Sequence, residues 1–201
     1  LGYNRRAKYL WQAAQMVVHE YAGRFPTSQV ELTALPGVGW NTAGALCAYA
    51  YNQPVVFIET NIRTVFLHHF FKGQDNIHDK QIVPLLEACI TYLNKNYTSS
   101  DSGTNSVLSY REWYWALMDY GSYLKSTAGN VARASKHYAK QSKFEGSRRQ
   151  LRGKILRELS LGSIARKELS NIFEDDRTVS VVDDLIVEGF IVEGQGKLSL
   201  A

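Results

Sequence analysis

The sequence is short of most features that mark secreted, membrane-spanning or metal-dependent proteins. It has two cysteines, Cys47 and Cys89, too few for a disulfide framework or a four-thiolate site. Both lie in apolar, helix-like stretches, where a buried free thiol is the ordinary outcome. No run of about 18 apolar residues exists, so no hydrophobic spanning helix is expected. No basic segment leading into an apolar one marks a secretory signal. Walker, HExxH and GxSxG motifs are all missing. His68 and His69 are adjacent and cannot face the same way along a helix, and His19, His78 and His137 show no ligand spacing. These absences predict a cytoplasmic protein (nucleoid-associated in a prokaryote) with no membrane partner and no metal. The first residue is Leu1 rather than Met, so a preceding segment is expected.

What is present is a chain of 201 residues, 45% hydrophobic and 21% charged, a globular composition. The net charge of +4 says little until its distribution is read. From Lys125 to Arg157 the basic residues are Lys125, Arg133, Lys136, Lys140, Lys143, Arg148, Arg149, Arg152, Lys154 and Arg157, opposed by Glu145 and no Asp. A polyanion is the natural partner of such a stretch; a solvated basic linker is the alternative.

Apolar spacing predicts helices over 5–22, from Thr27 or Ser28 to about 34, and over 41–51, 60–71, 80–95 and 107–124. Residues 98–106 read as a polar loop. The periodicity then lapses, and 125–147 reads as a basic linker. From Arg148 three further helices follow, over about 148–160, 164–173 and 177–188. A hairpin closes the chain, with its turn at Gly194-Gln195-Gly196. Three helices and a hairpin is a winged-helix order.

The most informative segment is Leu35-Pro36-Gly37-Val38-Gly39-Trp40-Asn41-Thr42-Ala43, between two helical patterns. Two glycines two apart let the backbone turn sharply and approach a ligand closely. The amides of Gly37, Gly39 and the following helix start form an anion site suited to a DNA phosphate, a contact that reads no sequence. Pro36, Gly37, Val38, Gly39, Trp40, Asn41 and Thr42 are therefore candidate DNA-binding residues.

The string LPGVGxxTA resembles the hairpin of the helix-hairpin-helix DNA glycosylase superfamily. Leu1-Gly2-Tyr3 with Arg6 and Ala7 is similar to the LGYYxRA string of the MutY-like adenine glycosylase branch. Gly23-Arg24-Phe25-Pro26 resembles its GxFP, Thr42-Ala43-Gly44-Ala45 its TAGAI, residues 54–65 (PVVFIETNIRTV) its P-x-x-x-D-G-N-V-x-R-V segment, and residues 115–121 (WALMDYG) its A-x-M-D-x-G helix. The resemblance covers about residues 1–124. It implies a mostly α fold: an N-terminally incomplete helix-hairpin-helix glycosylase domain over 1–124, a basic linker over 125–147, and a winged-helix-like α+β module over 148–201. Asp119 falls on a family position near the end of the last helix, where packing or capping is the expected role.

Departures from the family carry the chemistry. Where bifunctional relatives have a Schiff-base lysine, this chain has Asn41, whose amide cannot attack C1′, so no β-lyase activity is expected. The family's catalytic Asp falls on Glu59, which keeps the charge and lengthens the reach by one methylene; the alternative is a helix-start acid. Asn61 is implied to hold the DNA backbone or the site. The cysteines of the family's iron–sulfur cluster, spaced C-x6-C-x2-C-x5-C, fall on Lys125, Ala132, Ser135 and Gln141, so no cluster and no other cofactor is expected. Bare charge on Lys125, Arg133, Lys136 and Lys140 then replaces the cluster loop at phosphate. The family's second carboxylate, which protonates the departing adenine, lies upstream of Leu1.

In the C-terminal module the recognition-helix position carries Asp175, Asp176, Asp183, Asp184 and Glu188, which repel phosphate, whereas the first helix carries Arg148, Arg149, Arg152, Lys154 and Arg157. Duplex binding through that first helix, with Arg148 and Arg149 foremost, stands beside a protein-contact or structural role. The expected function is a monomeric, monofunctional DNA glycosylase acting on double-stranded DNA, removing adenine opposite 8-oxoguanine or guanine. A duplex-binding protein without cleavage is the rival; a transcriptional regulator is a weaker third.

Overall fold

A computed structural model describes residues 4–97, 109–140 and 142–201. The Leu1-Gly2-Tyr3 string, the polar loop at 98–106 and Gln141 lie outside the described residues. The chain divides into one compact unit of residues 9–139 and another of residues 140–201 joined by 1–8. Each is described on its own.

The first unit is helical: α1 Asn4–His19 (from residue 9 onward), α2 Gln29–Leu32, α3 Trp40–Tyr51, α4 Thr60–Phe70, α5 Asp79–Tyr97 and α6 Tyr110–Thr127. Helix α1 stops three residues short of the predicted end. Ala22 and Gly23 take left-handed backbone (φ 51° and 76°), and the Gly23 amide donates to Val17 O at 2.9 Å, satisfying a helix-end carbonyl. Ser28 caps α2 through its hydroxyl, which accepts from the Glu31 amide. Ser109 and Glu112 form a reciprocal capping box at the start of α6, which sets that start at Tyr110 rather than 107.

Two apolar clusters hold this unit. Ala13, Leu32, Leu35, Ala43 and Cys47 form a small core beneath the 33–39 turn. Phe57, Ile62, Ile82, Leu86 and Tyr114 anchor the larger one and are almost wholly excluded from solvent. Full burial of one such aliphatic side chain stabilises by about 1.5–3 kcal/mol. Tyr114 also satisfies its hydroxyl, donating to Val55 O at 2.7 Å. Helices α4 and α6 cross in backbone contact: a Cβ at Gly121 would lie 2.2 Å from the carbonyl oxygen of Asn61.

Residues 125–139, which read as linker in sequence, instead continue this unit. Helix α6 runs on to Thr127, and a single 3₁₀ turn follows at Val131–Ala134. The Ile77 amide donates to Ala134 O and the Lys136 amide to Ile77 O, both at 2.9 Å. Ala132 and Ser135 are buried. The order comes from main-chain bonds to a loop some 60 residues earlier, which leave no periodic trace in the side chains.

The second unit has α7 Arg148–Leu159, β1 Ile164–Ala165, α8 Arg166–Phe173, α9 Thr178–Val187, β2 Ile191–Gly194 and β3 Lys197–Leu200. The strands form an antiparallel sheet in the order β1-β3-β2. Gln195 and Gly196 take positive φ (51° and 73°), the backbone a two-residue hairpin turn requires. Its core is Leu151, Ile155, Leu159, Leu169, Val181, Val182, Leu185, Ile191 and Leu198. This is the predicted winged-helix order with a short extra strand.

Candidate functional site

The site begins at the turn between α2 and α3. Gly37 takes φ +76°, and a Cβ there would meet the Tyr9 side chain at 2.7 Å, so both conformation and packing demand glycine. Gly39 precedes α3 in extended backbone and offers no side-chain cap. A Cβ at Gly39 would meet nothing within 4 Å, so the approach to the helix start is open. The first internal bond of α3 runs from the Ala43 amide to Gly39 O. The amides of Trp40, Asn41 and Thr42 therefore have no acceptor within the helix and face outward at its positive end. Trp40 is the first residue of α3 rather than part of the turn, and its side chain is 57% exposed.

The link 52–59 runs from α3 to α4. Gly44 lies under it, where a Cβ would sit 2.6 Å from Phe57 Cβ. Two side-chain amides fasten the link to the hairpin. Asn41 Oδ1 accepts from the Ile58 amide at 3.1 Å. Gln29 Nε2 donates to Trp40 O at 3.1 Å and to Val56 O at 3.4 Å.

Glu59 is the N-cap residue of α4, with its carbonyl accepting from the Arg63 amide at 2.8 Å. Its carboxylate makes no capping hydrogen bond; a helix-start acid would ordinarily take one. The half-buried side chain instead lines a cleft of about 370 Å³ with Ile58, Thr60, Asn61, Arg63 and Met118. Arg63 is engaged by Asp79, to which it donates twice at 2.7 Å. Burial alone would raise the Asp79 pKa, but the Arg63 hydrogen bonds and charge outweigh it and hold the carboxyl below its ordinary value. Tyr49 has its phenol pushed up to about 12, first by burial and then by the negative charge of Glu59, so it stays protonated at neutral pH.

The sequence candidates thus separate into groups. Pro36 to Thr42 form the open hairpin, and Glu59 and Asn61 share the cleft. Asn41 belongs to both, because its side chain is tied to the residue before Glu59. Lys125, Arg133, Lys136 and Lys140 are exposed, and Arg133 also lines a cavity of about 500 Å³ with His68, Lys72, Asp75 and Asn130. In the other unit, Arg148 donates to Ser180 and to Asp184, and Arg149 lies over the Phe144 ring at 5.2 Å. Four of the five acids that gave the α9 region its unfavourable charge are paired: Asp184 with Arg148, Asp183 with Arg166, Glu188 with Arg152 and Arg5, and Asp175 with Arg177. Sequence reading assigned no role to Gln29, Arg63 or Met118; Arg63 and Met118 carried a signal in the strings over 54–65 and 115–121, and Gln29 carried none.

Burial pushes the thiols of Cys47 and Cys89 up, and Cys47 Sγ donates to Thr27 O at 3.4 Å. Both are therefore poor thiolates. Among the described residues, no three His, Cys, Asp or Glu side chains gather as metal ligands, and no helix is long and apolar enough to cross a membrane.

No protein-family profile matches the chain. A protein named adenine DNA glycosylase from Mycolicibacterium smegmatis is 28% identical over 219 aligned positions, covering 100% of this chain and 71% of that protein. The adenine DNA glycosylase of Buchnera aphidicola is 32% identical over 97 residues, 48% of this chain and 27% of that protein. Endonuclease III of Bacillus subtilis is 32% identical over 63 residues, 31% of this chain and 29% of that protein. Beyond the first of these, the chain spans less than a third of the relatives' length. The open hairpin, the carboxylate at the start of the following helix and these relatives agree: the chain is similar to the helix-hairpin-helix DNA glycosylases and, within them, to the MutY-like adenine glycosylases.

Proposed function

We propose that this protein is a monofunctional DNA glycosylase of base excision repair that removes adenine opposite 8-oxoguanine or guanine. The observation that carries the reading is the Glu59 carboxylate, which caps nothing and opens into a cleft one residue from the Asn41 tether to the hairpin. The names of the relatives support the class and the choice of adenine.

The Trp40–Thr42 amides hold a backbone phosphate of the duplex, and the target nucleotide turns out of the stack toward the cleft. The bond between C1′ and the adenine nitrogen breaks, and its electron pair leaves with the base. Glu59 stabilises the positive charge that develops on the sugar. Water adds its hydroxyl to C1′ and gives up its proton to solvent, and adenine leaves with a proton from the acid that the family resemblance puts upstream of Leu1. Asn41 has no nucleophilic amine, so the reaction ends at the abasic site. Lys125, Arg133, Lys136 and Lys140 add phosphate contacts where a cluster loop would lie. Ala132 and Ser135, at two of the four cluster positions, have no thiolate and are buried, which supports a fold without iron; visible absorption and iron analysis of the purified protein test this.

The decisive experiment is single-turnover cleavage of a duplex holding adenine opposite 8-oxoguanine, with alkali treatment afterward, by the full-length protein and by Glu59→Gln. Cleavage at least about 100-fold slower in the variant is expected. Cleavage by neither, with duplex binding intact, replaces the reading with lesion binding alone. That outcome would trace to the extra methylene of Glu59.

A further inference from the structure

Glycosylase chemistry needs two parts in register: the turn that grips the backbone and the carboxylate that faces the sugar. In this chain they lie on different helices, α3 and α4, joined by the extended link 52–59. A link of that kind has no internal ladder to stiffen it, so its position is set by what it is tied to. Its last three residues before Glu59 are tied in three ways. The Ile58 amide donates to Asn41 Oδ1. Val56 O accepts from Gln29 Nε2, and the same nitrogen donates to Trp40 O. Phe57 packs on Gly44, where even a methyl group would collide.

We infer that Gln29 and Asn41 form a two-amide clamp, and that these positioning residues transmit the placement of the phosphate-gripping turn to Glu59. Gln29 bonds one carbonyl on each side, from the first residue of α3 and from the link. Asn41 sits on the helix start itself and holds the amide adjacent to Glu59. Neither side chain carries charge or nucleophilicity, and neither is asked to touch the reacting atoms. Their geometry suits a rigid coupling: an amide offers both a donor and an acceptor, whereas serine or alanine at these positions spans less or nothing. The inference rests on the proposed glycosylase reading for its kinetic consequence but not for its structural one.

The test uses the full-length protein and the variants Asn41→Ala, Asn41→Asp and Gln29→Ala, with two readouts. The first is amide hydrogen exchange at Val56–Glu59. Asn41→Ala is expected to expose the Ile58 amide, and Asn41→Asp, which keeps an Oδ acceptor, to restore its protection. Gln29→Ala is expected to loosen the same segment. The second is single-turnover excision beside duplex affinity. Gln29→Ala should excise about 10- to 100-fold more slowly, as for a misplacement near 1 Å, with duplex affinity changed less than threefold; the Asn41 variants, which alter the phosphate-gripping turn itself, are read by exchange alone. Unchanged Ile58 exchange in Asn41→Ala overturns the clamp, as does a rate loss fully accounted for by weaker DNA binding. If the wild type excises nothing, the glycosylase reading fails, while the exchange data still decide the clamp.

Discussion

The two units of this protein use polar side chains in opposite ways. In residues 140–201 the charges are matched against each other. Arg148 meets Asp184, Arg166 meets Asp183 and Glu193, and Arg152 meets Glu188. In residues 9–139 the cations of 125–139 are exposed, the helix start at Trp40 is uncapped, and the Glu59 carboxylate opens into a cleft. Internal pairing stabilises a small module whose core is nine buried side chains. Uncommitted groups are what a unit needs when its partners arrive from outside. Basic composition alone therefore does not locate an interface: the densest run of arginines is the one engaged within its own fold.

The comparison is broken most severely at Gly121, where the helical unit has no slack. Gly121→Ala forces α6 off the Asn61 carbonyl. It should destabilise by about 1–3 kcal/mol, against a gain of about 1 kcal/mol from helix propensity. All four tryptophans lie between residues 11 and 115, so tryptophan fluorescence during denaturation reads this unit alone and should shift. Exchange in the 178–192 peptide should not.

The next test falls on the paired charges. Glu188 is held down from its ordinary 4.5 to about 2, by the hydrogen bond from Arg5 first and by Arg152 after it, against the cost of burial. A folded-state pKa below the unfolded one contributes stability that is full above about 4.5 and fades as pH falls toward 2. Residues 178–192 should lose exchange protection in that acid window, and Glu188→Gln should be less protected at pH 7 and flatter below it. A variant with wild-type acid dependence would remove Glu188 from the account.

The smallest effects concern DNA. Lys136→Gln should lower the salt dependence of duplex affinity by about one counterion. Arg148→Gln, taken from an ion pair, should leave that slope unchanged and cost the module about 0.2–1 kcal/mol. Equal slopes for the two variants would mean that Arg148 leaves Asp184 for phosphate.

Local chemistry was legible in the sequence, and long-range polar contacts were not. The Pro36–Thr42 turn, the Ser28 cap and the Gln195-Gly196 hairpin follow from residue types within a few positions of one another. The order of residues 125–139 depends on Ile77, the engagement of Arg148 on Asp184, and the role of Gln29 on a carbonyl 27 residues away. None of these leaves a period or a motif. The capping box at Ser109 and Glu112, a local pattern the sequence reading did not use, sets the start of α6 at Tyr110, three residues later than the apolar spacing gave.

The main-chain bonds between Ile77 and the 134–136 segment have an evolutionary consequence. A closure made by peptide groups, with Ile77, Ala132 and Ser135 buried beneath it, asks nothing of the exposed side chains beside it. Mutation is free to redraw the charges around Arg133, Lys136 and His137, and so retune the charge of this surface, while the loop stays shut. A closure built on four thiolates has no such latitude, because each of its anchors is fixed in identity and its integrity depends on iron supply and oxidant exposure.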